Sequence, residues 1–334
     1  MIQQFLTGIK SNLIYVVIGS LVAGLLFGQL TGATYRPILQ AAVMPVLFLM
    51  IYPMMINIDL REVVNVRRHA GVVVGSLLLN FGIAPLLAVG LAQVFFSGNL
   101  GYTIGLYFIA LIPTSGMTAA WTGLANGDLE SALVAMAVNL LLAVAILPVY
   151  LTVLIPASVG FDATALYRQL ALVIVGPMIA GTVTRRVLIR QYGAEGFKSL
   201  KPTFGGVSSV GVMSIVFIAM AMRAESILAD PVASAVTIVP IALFYAGLLV
   251  IGAGVGRALF DTQTGVALVY ATSMRNLSIA VAVVVAAPTI PETAVLPIAL
   301  AYVLQPPLGA VYMHYRRDIV DQGVSLKQAV GSHI

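Results

Sequence analysis

Two short polar stretches interrupt an otherwise apolar chain: Pro113-Thr114-Ser115-Gly116 and Thr272-Ser273-Met274-Arg275-Asn276. Thr118 and Thr122 follow the first, Ser278 follows the second, and Asn80, Asn139 and Gln305 add amides to nearby apolar runs. Hydroxyls, amides and one guanidinium can hold an ion or polar solute through hydrogen bonds, but they form no covalent catalytic set. Cysteine is absent, which excludes disulfides, thiolate metal sites and cysteine nucleophiles. No span holds a paired-carboxylate site or a His-Glu-x-x-His motif, so an intramembrane enzyme is disfavoured and no metal or cofactor is expected.

What must position these groups follows from composition. Hydrophobic residues make up 60% of 334 positions and charged residues only 9%, with a mean hydropathy of +1.04. A soluble domain carries nearer a quarter charged residues, so the solvent of this chain is a lipid bilayer. The net charge of +5 does not point to nucleic acid, because the basic residues sit in loops beside apolar runs. Apolar segments lie near 13–30, 37–58, 71–96, 102–125, 130–156, 167–187, 204–222, 232–258, 265–286 and 292–315. Helix is forced on them, since a backbone amide in hydrocarbon finds no water. The first segment has only Lys10 in its flank and no small-residue cleavage site, so it reads as a span rather than a signal peptide.

Ten spans put both termini on one side. One face then collects Lys10, Arg61, Arg67, Arg68, Arg185, Arg186, Arg190, Lys198, Lys201, Arg257, Arg316, Arg317 and Lys327, against only Arg36, Arg168 and Arg223 opposite. That bias places the termini in the cytoplasm. The chain divides near Ala157–Leu166 into halves 1–160 and 161–334, each with five spans. Five is odd, so the second half enters the membrane inverted, as in many secondary transporters. Both polar interruptions fall in the fourth span of their half. The fold class expected is therefore all-α and membrane-spanning, ten helices in two inverted repeats, with broken, crossing helices 4 and 9.

Thr114, Ser115, Thr118, Asn139, Thr272, Ser273, Arg275, Asn276, Ser278 and Gln305 are the expected substrate-binding set, with Thr122 and Asn80 beside them. A single Ser or Thr in a membrane helix usually bonds back to the carbonyl four residues earlier, and a lone amide often serves helix–helix contact. Pro53, Pro85 and Pro148 read as kinks, and Gly71, Gly75, Gly252 and Gly256 as close-packing positions. Arg275 is different: a charge at mid-membrane costs at least about 2.5–3.5 kcal/mol, and no carboxylate occupies the middle of any span. Asp59, Asp128 and Glu130 fall at span ends. Such an arginine either favours an anion or is tied up by carbonyls of the broken helix.

The order of several short stretches resembles the bile acid/sodium symporter superfamily, most of all its arsenite efflux permease branch. They run from Met50-Ile51-Tyr52-Pro53 through Asn80-Phe81 with Pro85, Met117 to Trp121, Leu124-Ala125, Gly127-Asp128 and Asn139. Gly181 with Thr184-Arg185-Arg186, then Asn276 with Ala280-Val281-Ala282, complete the series. The resemblance implies ten spans, crossing broken helices, and alternating access between a panel and a core domain. It also marks departures. Thr114 and Ser278 stand where arsenite permeases carry a cysteine and a glutamate. Thr118-Ala119, Ala132, Met136, Ala271 and Arg275 stand where sodium-coupled members carry oxygen ligands, so most oxygens that a hard cation needs are missing.

The sequence thus predicts a secondary transporter of a small solute, anionic or oxyanionic, in the plasma membrane. A sodium-coupled organic-anion symporter is the alternative. Reporter fusions at Lys327 and within 185–201 should both read cytoplasmic; a periplasmic signal at either position overturns the ten-span reading.

Overall fold

The computed structural model describes residues 13–32, 34–155, 163–228, 231–287 and 290–316. Lys10, Phe161, Asp162, Arg317, Lys327 and His333 lie outside them, as does most of the expected junction between halves. Helices and turns make up the described residues, and no strand occurs among them. In order they are α1 (Leu13–Thr31), α2 (Arg36–Asn57), a 3-10 helix (Leu60–Arg67), α3 (Ala70–Leu78), α4 (Ala84–Phe95), α5 (Leu100–Leu111), α6 (Met117–Leu124) and α7 (Leu129–Leu154). Then follow α8 (Ala163–Leu170), α9 (Gly176–Leu228), α10 (Pro231–Val236), α11 (Ile238–Leu259), α12 (Thr262–Ser273), α13 (Leu277–Ala286) and α14 (Val295–His314).

Six stretches are long and apolar enough to cross a membrane: Arg36–Asn57, Ala70–Phe95, Leu129–Leu154, Gly176–Met222, Ile238–Leu259 and Val295–His314. Ile18–Thr31 and Leu100–Leu111 are shorter apolar helices. Large apolar side chains such as Leu30, Val94, Val153 and Val250 point outward, which water would penalise and lipid does not.

Helix α9 runs through two expected spans, but not as a straight rod. Gly193, at φ 72° and ψ 174°, breaks it with a conformation few side chains tolerate. Gly181 packs its Cα face on Met55, and Gly211 packs on Met50, only five residues earlier in α2. Thirty residues of unbroken helix would separate the two glycines by about 45 Å, so the chain doubles back between them. Ser208 donates to the Met50 carbonyl at 2.6 Å, and the Asn57 amide reaches the Lys201 carbonyl at 3.3 Å. Gly24 and Gly28 of α1 meet Phe217 and Ala221 of α9 equally closely. Helices α1, α2 and α9 therefore form one backbone-to-backbone bundle.

The other helices surround the two interruptions. Two π-helical turns, Leu79–Ile83 and Ala171–Val175, occur just upstream of Pro85 and Pro177. A proline donates no N–H and crowds the carbonyl four residues earlier, and a wider turn absorbs that conflict. The Phe81 carbonyl released by Pro85 accepts the Tyr150 hydroxyl. At the membrane ends, Asp128 caps α7 through the Glu130 and Ser131 amides, and Asp261 caps α12 through the Gln263 and Thr264 amides. The Thr264 hydrogen bonds hold the Asp261 carboxyl below the usual carboxylate range.

A Cβ at Gly211 would lie 2.6 Å from the Met50 Cα, a backbone atom that cannot step aside. Gly211→Leu should therefore destabilise the protein by about 1–3 kcal/mol or more, seen as a lower melting temperature in detergent. Gly90→Leu, at a position with open space around it, should leave melting nearly unchanged.

Candidate functional site

The first interruption begins where Ile112 turns extended, at ψ 141°, ahead of Pro113, as residues before proline do. Helix resumes at Met117. The second is shorter than expected. Thr272 and Ser273 remain helical, because no proline follows and their hydroxyls bond the Leu268 and Val269 carbonyls of the preceding turn. Only Met274, Arg275 and Asn276 leave the helix.

These two extended pieces lie side by side, antiparallel, with Thr114 opposite Arg275. The Ser115 amide donates to the Met274 carbonyl at 2.8 Å, and the Asn276 amide donates to the Pro113 carbonyl at 2.8 Å. The exchange is symmetric about the Thr114–Arg275 pair. It gives each break the backbone partners that hydrocarbon cannot supply.

Side chains complete the crossing. The Thr118 hydroxyl donates to the Tyr270 carbonyl at 3.1 Å, so the 2.8 Å contact between Thr114 and Thr118 has Thr114 as donor. Ser115 Oγ accepts from the Met117 amide, and Asn276 Oδ1 caps α13 through the Ile279 amide. Gln305 clamps the backbone of Arg275 on both sides: its Oε1 accepts the Arg275 amide at 2.8 Å and its Nε2 donates to the Arg275 carbonyl at 3.1 Å. The Tyr245 hydroxyl fixes that Oε1 at 2.9 Å. On the far side of α12, Asn80 bridges Asn139 Oδ1 at 2.8 Å and the Ala271 carbonyl at 3.0 Å, while Asn139 bonds Ser76. The Ala271 carbonyl, whose helical partner amide is turned to Gln305, is thus satisfied by Asn80, while Thr118 adds a second bond to the Tyr270 carbonyl already held by the Met274 amide.

Among the described residues Arg275 is the largest fully buried side chain, 1% exposed. Its Nη1 donates to the Ile112 carbonyl at 3.3 Å, and its guanidinium carbon lies 5.9 Å from the centroid of the Phe244 ring. Nε and Nη2 have no hydrogen-bond partner, and among the described residues no carboxylate comes within ion-pair reach. A guanidinium has five N–H donors in one plane, and here most of them are idle. The arrangement can accept an anion at two oxygens without displacing an acid.

Of the ten residues expected, Thr114, Ser115, Thr118, Arg275, Asn276 and Gln305 meet at the crossing. Thr272 and Ser273 are turned to their own helix. Asn139 ties α7 to Ser76 and Asn80 one layer back, and Ser278 accepts from the Tyr302 hydroxyl at 2.9 Å. All ten are buried, so the crossing is closed to solvent. Sequence reasoning passed over Tyr245, Phe244, Tyr302 and Ser76. Aromatics in an apolar run carry no polar signal, and only the partner they reach reveals their role. Asn276 also bonds Met54 Sδ at 3.7 Å, linking the break to α2.

An all-helical chain with outward apolar faces and a polar crossing at the core of its bundle has the build of a multi-pass membrane transporter. Comparison with known proteins bears this out: residues 44–230 match the Sodium Bile acid symporter family, and the chain belongs to it. It is similar to the arsenical-resistance protein Acr3 of Alkaliphilus metalliredigens, with 26% identity over 68% of this chain and 69% of the relative. Acr3 of Corynebacterium glutamicum is 23% identical over 61% of this chain and 58% of its own length. YbaS of Bacillus subtilis, an uncharacterized protein, is 27% identical over 68% and 73%.

Tyr245→Phe removes one hydrogen bond and should cost about 1 kcal/mol, in the range measured for bonds between membrane helices. Gln305→Leu leaves the Arg275 amide and the Tyr245 hydroxyl unpaired together and takes one of two donors from the Arg275 carbonyl, which keeps the Leu277 amide. Its loss of thermal stability should be several times larger; equal effects would show that the clamp is not what holds the break.

Proposed function

We propose that this protein is a secondary transporter of a small oxyanion or other small anion, and that Arg275 receives the substrate's negative charge. The observation that carries this reading is a fully buried guanidinium with two unpartnered nitrogens and no acid beside it. A cation entering the same place would meet an uncompensated positive charge. Hydroxyls of Thr114, Ser115 and Thr118 and the amides of Asn276 and Gln305 supply the neighbouring hydrogen-bonding groups, with Thr272, Ser273, Ser278 and Asn139 in support.

The proposed architecture is ten spans in two inverted repeats, 1–160 and 161–334. Helices α5 and α12 have 12 residues each, and the pieces after the breaks have 8 and 10. Counting α9 as two spans at Gly193 gives the tenth segment. In this scheme α1, α2 and α9 form the panel, the remaining helices form the core, and the seam passes Met54 and Asn276. The closed crossing would be exposed alternately to either side as the seam opens. Both termini are assigned to the cytoplasm and the protein to the plasma membrane.

Arsenite is a candidate substrate, since two of the similar proteins are arsenical-resistance proteins. As neutral arsenous acid it would bring no charge for Arg275 and would be held here by hydroxyls and amides, since no thiol is available. Sodium is not required in this reading, because Ala132, Met136 and Ala271 offer no side-chain oxygen and Arg275 already supplies positive charge.

Proteoliposomes carrying the purified protein test this with radiolabelled arsenite and a panel of small oxyanions and carboxylates. Uptake or exchange of one of them should proceed equally in sodium and potassium media. Arg275→Lys should keep partial transport with weaker affinity, because one ammonium cannot make a paired grip. Arg275→Gln should remain folded and lose anion transport by at least about tenfold, the factor that about 1.4 kcal/mol corresponds to. Wild-type rates in a stable Gln variant, or transport driven steeply by a sodium gradient, would refute the proposal.

A further inference from the structure

Away from the crossing, a cleft of about 830 Å³ opens between the segment after α2 and the first part of α9. Its walls include Val64, Val183 and Val187, and its charged residues are Asp59, Arg185, Arg186 and Arg190. These arginines are not equivalent. Arg185 points inward, where Nη2 meets Asp59 Oδ2 at 2.5 Å and the guanidinium stacks 4.9 Å from the Phe197 ring centroid. That pair cancels the acid of the cleft. Arg186 and Arg190 are exposed, and among the described residues neither has an acidic partner.

Their direction matters more than their number. At about 100° per residue, Ile179, Val183, Val187, Arg186 and Arg190 fall within an arc of about 100° on one helix face. Ile179, Val183 and Val187 are 60%, 53% and 47% exposed, so this face is turned outward to the acyl chains. The apolar stripe runs straight into two arginines one turn apart. Val64, 83% exposed, offers a further apolar surface on the opposite wall. Arginines placed only to set topology need not share a face with the lipid-facing stripe. Here they stand where the phosphate of a lipid lying along that stripe would be.

We propose that Arg186 and Arg190 form a headgroup site for an anionic phospholipid, whose acyl chains lie along Ile179, Val183 and Val187. Guanidinium forks suit phosphate oxygens, and basic pockets between membrane helices are known to suit acidic headgroups. The site is separate from the crossing, so it stands whether or not Arg275 binds substrate.

The test uses the full chain reconstituted in phosphatidylcholine vesicles with trace spin-labelled phosphatidylglycerol or spin-labelled phosphatidylcholine. Wild-type protein should immobilise the phosphatidylglycerol label preferentially. R186Q/R190Q should reduce that preference at least about fivefold, the enrichment that one arginine near an anionic surface contributes. R186K/R190K should retain most of it, which guards against a folding defect. R67Q/R68Q removes the same charge from the same end of the protein outside the cleft and should retain it too. An equal loss in R67Q/R68Q, or no loss in R186Q/R190Q, would overturn the site. Displacement of the label by soluble glycerol phosphate at the lipid's own concentration would show a free-phosphate site and overturn the lipid assignment.

Discussion

The structure depends on backbone hydrogen bonding where there is no water. Two helices are interrupted inside an apolar bundle, and each interruption leaves amides and carbonyls whose isolation would cost several kcal/mol apiece. The exchange between Ser115 and Met274, and between Asn276 and Pro113, answers both at once. Neither break can straighten without stranding the other. The layers around them follow from the same requirement: Gln305 on the Arg275 peptide and Asn80 on the Ala271 carbonyl. Polar side chains that look like scattered liabilities in an apolar sequence are thus largely partners for broken backbone.

Arg275 stands apart because its backbone and its side chain have different fates. The peptide is held on both sides, whereas the guanidinium makes one bond to Ile112 and rests near Phe244. A fully structural arginine would spend its donors on the carbonyls that the breaks release. Those carbonyls are instead taken by Asn80, Gln305 and backbone amides, leaving the charge in place. This distribution separates the work of holding the break from the charge that it presents.

Much of this was readable from the sequence, and unevenly so. Composition and apolar run length identify a membrane helix bundle, and Pro113 marks the first break to within a residue. The sequence puts the second two residues too early, because Thr272 and Ser273 look like helix breakers, whereas their hydroxyls bond the preceding turn. Asn139 and Gln305 are alike in sequence, each a lone amide in an apolar span, yet one serves packing and the other clamps the break. Nothing local distinguishes them, since the difference lies in which carbonyl happens to be opposite. The π turn that carries Asn80 was hidden for a related reason: Pro85 forecasts a distortion but not its form.

The pairing of the breaks also makes their length a fixed quantity. Surface loops absorb insertions because nothing measures them. Here, one residue added between Ile112 and Gly116 would lengthen the extended piece by about 3.3 Å and turn the side chains after it to the opposite face. Thr118 would swing off the Tyr270 carbonyl, and the residue facing Arg275 would change identity. These few extended residues thus behave as a ruler for the helices on either side. Point substitutions are tolerable there in principle, but variation in loop length, the ordinary currency of divergence between related chains, is closed to them.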